Sequence, residues 1–193
     1  MTSSIELNHP FALRCHNIKD LLDNCYKMST FCTRLEKQSV MFPDRYSPEK
    51  YRGDGFELFV EFFLKAHSVD NRVGIGSYEI LSNNDTDTGV DGTGVGINGK
   101  PATVQVKYRS NNEKFLTANE DHLMNFGYAS QNKYNVSIDD INNMLIITTA
   151  KGLHSFTNGE MFLGKVRCIG YNQLREMIDN NLLFWDTFRS ICK

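Results

Sequence analysis

The chain has 193 residues, 40% of them hydrophobic and 23% charged, with 13 Phe and 8 Tyr to fill a core. That is ordinary for one soluble globular domain and requires neither a disulfide framework nor a structural zinc. The formal charge of −2 argues against a protein that coats nucleic acid through a basic face, but leaves room for a nuclease, whose site gathers acids around a cation.

In chain order, Ile18, Leu21, Leu22, Cys25, Met28, Phe31, Cys32 and Leu35 recur at helical spacing and predict an amphipathic helix over about 17–37. Phe42-Pro43-Asp44 and Ser47-Pro48 break that pattern, so residues 1–50 are expected to form an N-terminal helical extension to a domain over 51–193. After Gly53-Asp54-Gly55 a second helix is predicted from Phe56 to about His67. Apolar residues cover most of its circumference, which marks it as buried, and Glu57 and Glu61 stand out against them. Tyr78 to Leu81 is a short candidate strand. Val90 to Ile97 and Ala102 to Tyr108 flank Asn98-Gly99, a strong hairpin signal. Phe115 to Ser130 reads as a loop entering a helix. Met144 to Thr149 reads as a buried central strand and Val166 to Ile169 as another, while Leu174, Met177, Ile178, Leu182, Leu183, Trp185 and Phe188 belong to closing helices. The order predicts an α/β (α+β) fold, a central mixed sheet flanked by helices.

Five cysteines without a CxxC pair, odd in number, predict a reducing compartment, and five histidines without HxxxH spacing give no support to zinc. No basic stretch followed by an apolar run opens the chain, and no segment approaches the roughly 20 apolar residues of a membrane span. A soluble, cytoplasmic protein with no membrane partner is the expectation.

The chemistry concentrates on strand 102–108. Ala102, Val104, Val106 and Tyr108 point one way, and Thr103, Gln105, Lys107 and Arg109 the other. Gln105 can offer a carbonyl oxygen to a hard cation, Val106 its main-chain carbonyl, and Lys107 can hold an anionic water beside them. Asp91 lies on the partner strand, where register decides its reach. A two-residue turn sets it opposite Val106, and a three-residue loop with a Gly bulge sets it opposite Gln105. Glu57 would complete the shell of a Mg²⁺ that supports phosphodiester hydrolysis. Asp85 to Gly92 fails as an EF-hand, since Gly89, Val90 and Gly96 stand where Asp or Asn, Gly and Glu are needed. Arg109 is a candidate for a phosphate contact. Thr149, at a strand end, is either a substrate-binding hydroxyl or a partner for loop main chain. Glu61 reads as a solvated acid paired along the helix with Lys65, and Trp185 and Phe188 read as packing residues.

Gly55-Phe56-Glu57 opening a helix, then Gly89-Val90-Asp91-Gly92, then Val104-Gln105-Val106-Lys107-Tyr108, resembles the PD-(D/E)xK nucleases, in particular the Mrr-like restriction endonuclease branch, in which Gln often replaces the acid of the (D/E)xK element. Leu145 to Ala150 and Val166 to Leu174 are similar to the strands that follow that core, so the likeness spans roughly 53–180 and leaves residues 1–50 outside it. Val90 stands where the motif has Pro. The resemblance implies a restriction-endonuclease-like core, with Asp91 and Gln105 as metal ligands, Glu57 as the helix-borne acid and Lys107 as the catalytic lysine. It also implies Mg²⁺ or Mn²⁺ as cofactor and DNA as substrate. The expected function is a metal-dependent DNA endonuclease. The alternatives are an inactive nucleic-acid-binding module on the same fold, a branched-DNA resolvase-type nuclease, and a structural protein whose acids only solvate its surface. Cutting both duplex strands with one site per chain favours a homodimer, with the N-terminal helix as its interface.

Overall fold

The structure is a computed structural model, and it describes residues 5–14, 18–41, 47–81, 88–117, 121–154 and 166–192. Helices α1 (Pro10–Arg14), α2 (Ile18–Leu22), α3 (Met28–Ser39) and α4 (Pro48–Ala66) lead into strands β1 (Ile75–Ile80), β2 (Gly92–Gly96) and β3 (Pro101–Lys107). Helix α5 (Asp121–Asn132) then crosses to β4 (Met144–Thr148), followed by β5 (Arg167–Ile169), α6 (Tyr171–Ile178) and α7 (Leu182–Ile191). The sheet order is β1-β2-β3-β4-β5. The first three strands run antiparallel, and β4 and β5 add in parallel, so the sheet is mixed and flanked by helices as the pattern predicts.

Two helix boundaries differ from the prediction for local reasons. The single helix over 17–37 is broken into α2 and α3 at Asn24, whose φ of 46° is left-handed, a conformation Asn tolerates. Helix α4 starts eight residues before Phe56, at Pro48, because Ser47 caps it by accepting from the Lys50 N–H at 3.2 Å and Pro48 needs no donor there. Gly53 and Gly55 therefore lie inside the helix. Gly55 lets α3 pack close, since a Cβ there would sit 2.5 Å from Leu35 Cδ1 and force that side chain to shift.

That crossing removes the basis for treating residues 1–50 as an appendage, and the 50/51 division falls within α4. Ile18, Leu21, Leu22, Met28, Phe31 and Leu35 are buried in the same cluster as Phe56, Phe59, Phe62, Phe63, Val104, Val106, Trp185 and Phe188. Phe31 meets Phe59 at 5.2 Å and Trp185 at 6.2 Å between ring centroids. Each such side chain contributes roughly 2–3 kcal/mol by leaving water. The apolar stripe of α3 is thus consumed inside the fold and offers no dimer surface. Phe42-Pro43-Asp44 lies outside the described residues.

The other face of the sheet holds a second cluster, with Leu123, Phe126 and Ala129 of α5 against Met144 and Ile146. Strand β4 is buried along its whole length. Alternation on β3 accordingly divides two apolar faces: Val104 and Val106 turn to α4, and Thr103, which donates to Ser130 Oγ at 2.8 Å, turns with Gln105 to α5. Among the described residues no helix is long and apolar enough to cross a membrane.

Candidate functional site

Hairpin geometry sets the register on which the site depends. Gly96 N–H donates to Lys100 O at 2.8 Å and Gly99 N–H to Gly96 O at 2.9 Å, enclosing a loop of Ile97, Asn98 and Gly99 in which Gly99 takes φ 77°. Asn143, buried ahead of β4, locks the loop by donating to Asn98 Oδ1 (3.1 Å) and Pro101 O (2.9 Å). Gly92 then pairs with Val104 and Thr93 with Thr103, so Asp91 stands at the level of Gln105, as the longer loop requires.

Asp91 immediately precedes β2, at the same end of the sheet as Lys107, the last residue of β3. Its N–H donates to Val104 O at 3.0 Å, and its carboxylate Oδ2 accepts the Val106 N–H at 2.6 Å. The carboxyl is pushed up to about 7 by burial and by the Glu57 carboxylate, against the pull of the Val106 N–H and the Lys107 ammonium. Tyr78 of β1 lies beneath the same charges. Burial, then Asp91, Glu57 and Glu61, raise its hydroxyl well above the ordinary phenol range. Its ring fits because Gly92 has no side chain, and a Cβ there would collide with the ring.

Glu57 comes from α4 and keeps one side-chain partner among the described residues: its Oε2 lies 3.1 Å from His9 Nε2. Glu61, one turn on, is completely buried instead of solvated. Its Oε1 accepts from Asn8 N–H (2.8 Å) and Lys65 Nζ (2.7 Å), and its Oε2 accepts from His9 N–H (2.9 Å). The i,i+4 pairing with Lys65 was legible in the sequence; the two main-chain donors from residues 8 and 9 were not.

The structure thus brings Glu57 and Lys107 each within electrostatic reach of Asp91. Gln105 is fully buried on the α5 face, turned away from the side on which α4 presents Glu57. Thr149 is buried and occupied by the chain: its hydroxyl accepts the Arg109 N–H at 2.6 Å and donates to Arg109 O at 2.8 Å. Thr148 donates to Lys107 O at 2.7 Å. The Thr148 hydroxyl reinforces the last rung of the β3–β4 ladder and that of Thr149 extends it past the strand ends, fixing the main chain that carries Lys107 and Arg109. Arg109 is half-buried and donates from Nη1 to Tyr108 O at 2.9 Å. Of the acidic approach to Asp91, residues 85–87 lie outside the described residues.

Among the described residues no group of three or more His, Cys, Asp or Glu could hold a metal ion. The two carboxylates, Glu57 and Asp91, suit Mg²⁺, which binds through one or two carboxylates and retains waters, better than zinc. A divalent cation would also relieve the repulsion that lifts Asp91. Burial raises the thiols of Cys25, Cys32 and Cys168 to about 11, 12 and 12.

His9 and Tyr78 are the neighbours that sequence reasoning missed. His9 lies 48 residues from Glu57 with no spacing to connect them, and Tyr78 reads only as a strand aromatic. Comparison with protein-family models, curated proteins and solved structures finds no match to this chain.

Proposed function

We propose that the chain is a Mg²⁺- or Mn²⁺-dependent deoxyribonuclease, a phosphodiester hydrolase of the PD-(D/E)xK type built on a restriction-endonuclease-like core. The observation that carries this reading is the convergence of two like charges, Glu57 and Asp91, at the strand end that bears Lys107, with Asp91 lifted to about 7 by burial and by Glu57. Two carboxylates packed this way repel, and a cation is the simplest group to reconcile them. The element order supports the reading as well: an acid-bearing helix, three antiparallel strands, a crossing helix and a parallel strand.

A bound divalent cation would stabilise the charge that develops on the phosphate and acidify a nearby water. Glu57 and Asp91 are the residues to hold it. Gln105 and the Val106 carbonyl are the neutral oxygens that the motif assigns to the same shell, with Gln105 approaching from the α5 side. Lys107, as an ammonium, would orient the attacking water and stabilise the negative charge that water gains as its proton passes to solvent. Arg109 engages a neighbouring phosphate, while Thr149 acts behind it by holding its main chain. Cutting both duplex strands with one centre per chain would require a homodimer.

Incubation of the purified chain with supercoiled, linear, single-stranded and branched DNA tests the reading. Nicking or linearisation of the circle is expected with Mg²⁺, none with EDTA, and none from Glu57→Gln or Asp91→Asn. Intact DNA of every form in Mg²⁺ and in Mn²⁺ overturns it.

A further inference from the structure

We infer that His9 is a positioning residue of the cation site: it holds one oxygen of Glu57 in place and leaves the other to a divalent cation. The inference rests on the reading above and adds to it a part of the chain that the nuclease motif does not include.

The ring of His9 is buried and both of its nitrogens are engaged. Phe11 N–H donates to Nδ1 at 3.2 Å, so Nδ1 carries a lone pair and the ring proton belongs on Nε2. Nε2–H then donates to Glu57 Oε2 at 3.1 Å. Glu57 Oε1 has no partner among the described residues. A carboxylate held by one oxygen has lost most of its rotational freedom before a cation arrives, which is how groups behind metal ligands raise affinity.

Three anchors hold the imidazole itself. The buried Glu61 carboxylate accepts the main-chain N–H groups of Asn8 and His9. Lys65 ties Glu61 to the carbonyl of Glu6 at 2.7 Å. Phe11 packs edge-on against Tyr51 at 5.0 Å between centroids and lies close to Gly55. Glu61 and Glu57 lie four residues apart on one helix, so the acid that binds the segment and the acid the segment serves keep a fixed separation. If His9 were only a staple for the N-terminal segment, its ring would not need to end on a carboxylate that keeps its other oxygen open beside Asp91.

Mn²⁺ titration by calorimetry of the full chain, paired with thermal melts in EDTA, separates the two roles. Glu57→Gln is expected to lose binding. His9→Ala is expected to weaken it about tenfold, and His9→Gln, whose amide nitrogen can replace Nε2–H, to recover it to within about threefold. Melting in EDTA should differ little between the two His9 variants. Wild-type affinity in His9→Ala, alongside lost binding in Glu57→Gln, overturns the positioning role and leaves the cation site standing. No Mn²⁺ binding by the wild-type chain overturns both. A ¹⁵N NMR spectrum of wild-type histidines needs no variant to fold: the inference expects His9 as the Nε2–H tautomer, and the Nδ1–H tautomer overturns it.

Discussion

Glu57 and Glu61 lie one turn apart on α4, yet one side chain is 32% exposed and the other 0%. Glu61 is saturated by two main-chain N–H groups and an ammonium, and it binds the N-terminal segment to the helix. Glu57 takes one bond from His9 and lies within electrostatic reach of Asp91, a like charge whose repulsion works against the fold. An acid whose lone pairs are all used works for stability. An acid left short of donors beside another acid costs stability, a cost that the proposed cation would offset. Residue type and helical spacing are the same for both, so the distinction comes entirely from what the rest of the chain brings to each.

The strongest challenge to this contrast is at the open end. Lys107→Ala is expected to lower DNA cleavage about 1000-fold while leaving the melting temperature within a degree or two, read by initial rates and calorimetry. A large fall in stability with little change in rate would place Lys107 among the structural groups with Glu61. At the clasp, Glu61→Ala should cost about 3 kcal/mol in urea unfolding, because Lys65 and two N–H groups lose their acceptor. A change under 1 kcal/mol would show that water replaces the carboxylate easily and that the clasp is loose.

Asp91 gives the pH dependence. Its ordinary value of 3.8 holds in the unfolded chain, and about 7 holds in the fold. Between those values the folded chain keeps a proton that the unfolded chain has released. This contribution is therefore fully present below about pH 4 and is lost as pH rises through about 7. Asp91→Asn retains an acceptor for the Val106 N–H and removes the charge. It should stabilise the metal-free protein by about 2 kcal/mol at pH 8, allowing for solvent access, and hardly at all at pH 4. Mg²⁺ should raise the melting temperature of the wild type more at pH 8 than at pH 5, and equal effects at both would contradict the coupling. The smallest expected effect is that of Thr149→Val. Losing the bonds to Arg109 should cost about 1 kcal/mol with DNA affinity nearly unchanged. A tenfold loss of DNA affinity would restore the hydroxyl to the substrate.

Much of the frame was legible because it rests on local pattern. The apolar run of β4, the Asn98-Gly99 hairpin and the alternation of Thr103, Val104 and Gln105 each follow from period and turn chemistry, and all three form. The start of α4 was misread because Gly53 and Gly55 look like breakers. Only the approach of Leu35 shows what the glycine at 55 accommodates, while a Cβ at 53 would meet nothing. Asp91 and Lys107 could be placed together once a register was chosen, since ladder geometry is arithmetic. His9 could not be placed, because nothing local to residues 8–11 reports a carboxylate 48 positions downstream. Glu61 was misjudged for the same reason: a short-range partner, Lys65, was visible and concealed the distant ones.

The loop of Ile97, Asn98 and Gly99 acts as a gauge for the whole sheet. Deleting one of its residues would slide β2 along β3 by a single step, exchanging every inward side chain for its outward neighbour and carrying the Asp91 carboxylate from one side of the sheet to the other. Asn143 grips the loop from across the sheet, so such a slip would also break contacts that a length change cannot remake. Related chains should therefore hold this turn at a constant length even where its residues change, and tolerate insertions at places that do not set the count between Asp91 and Lys107.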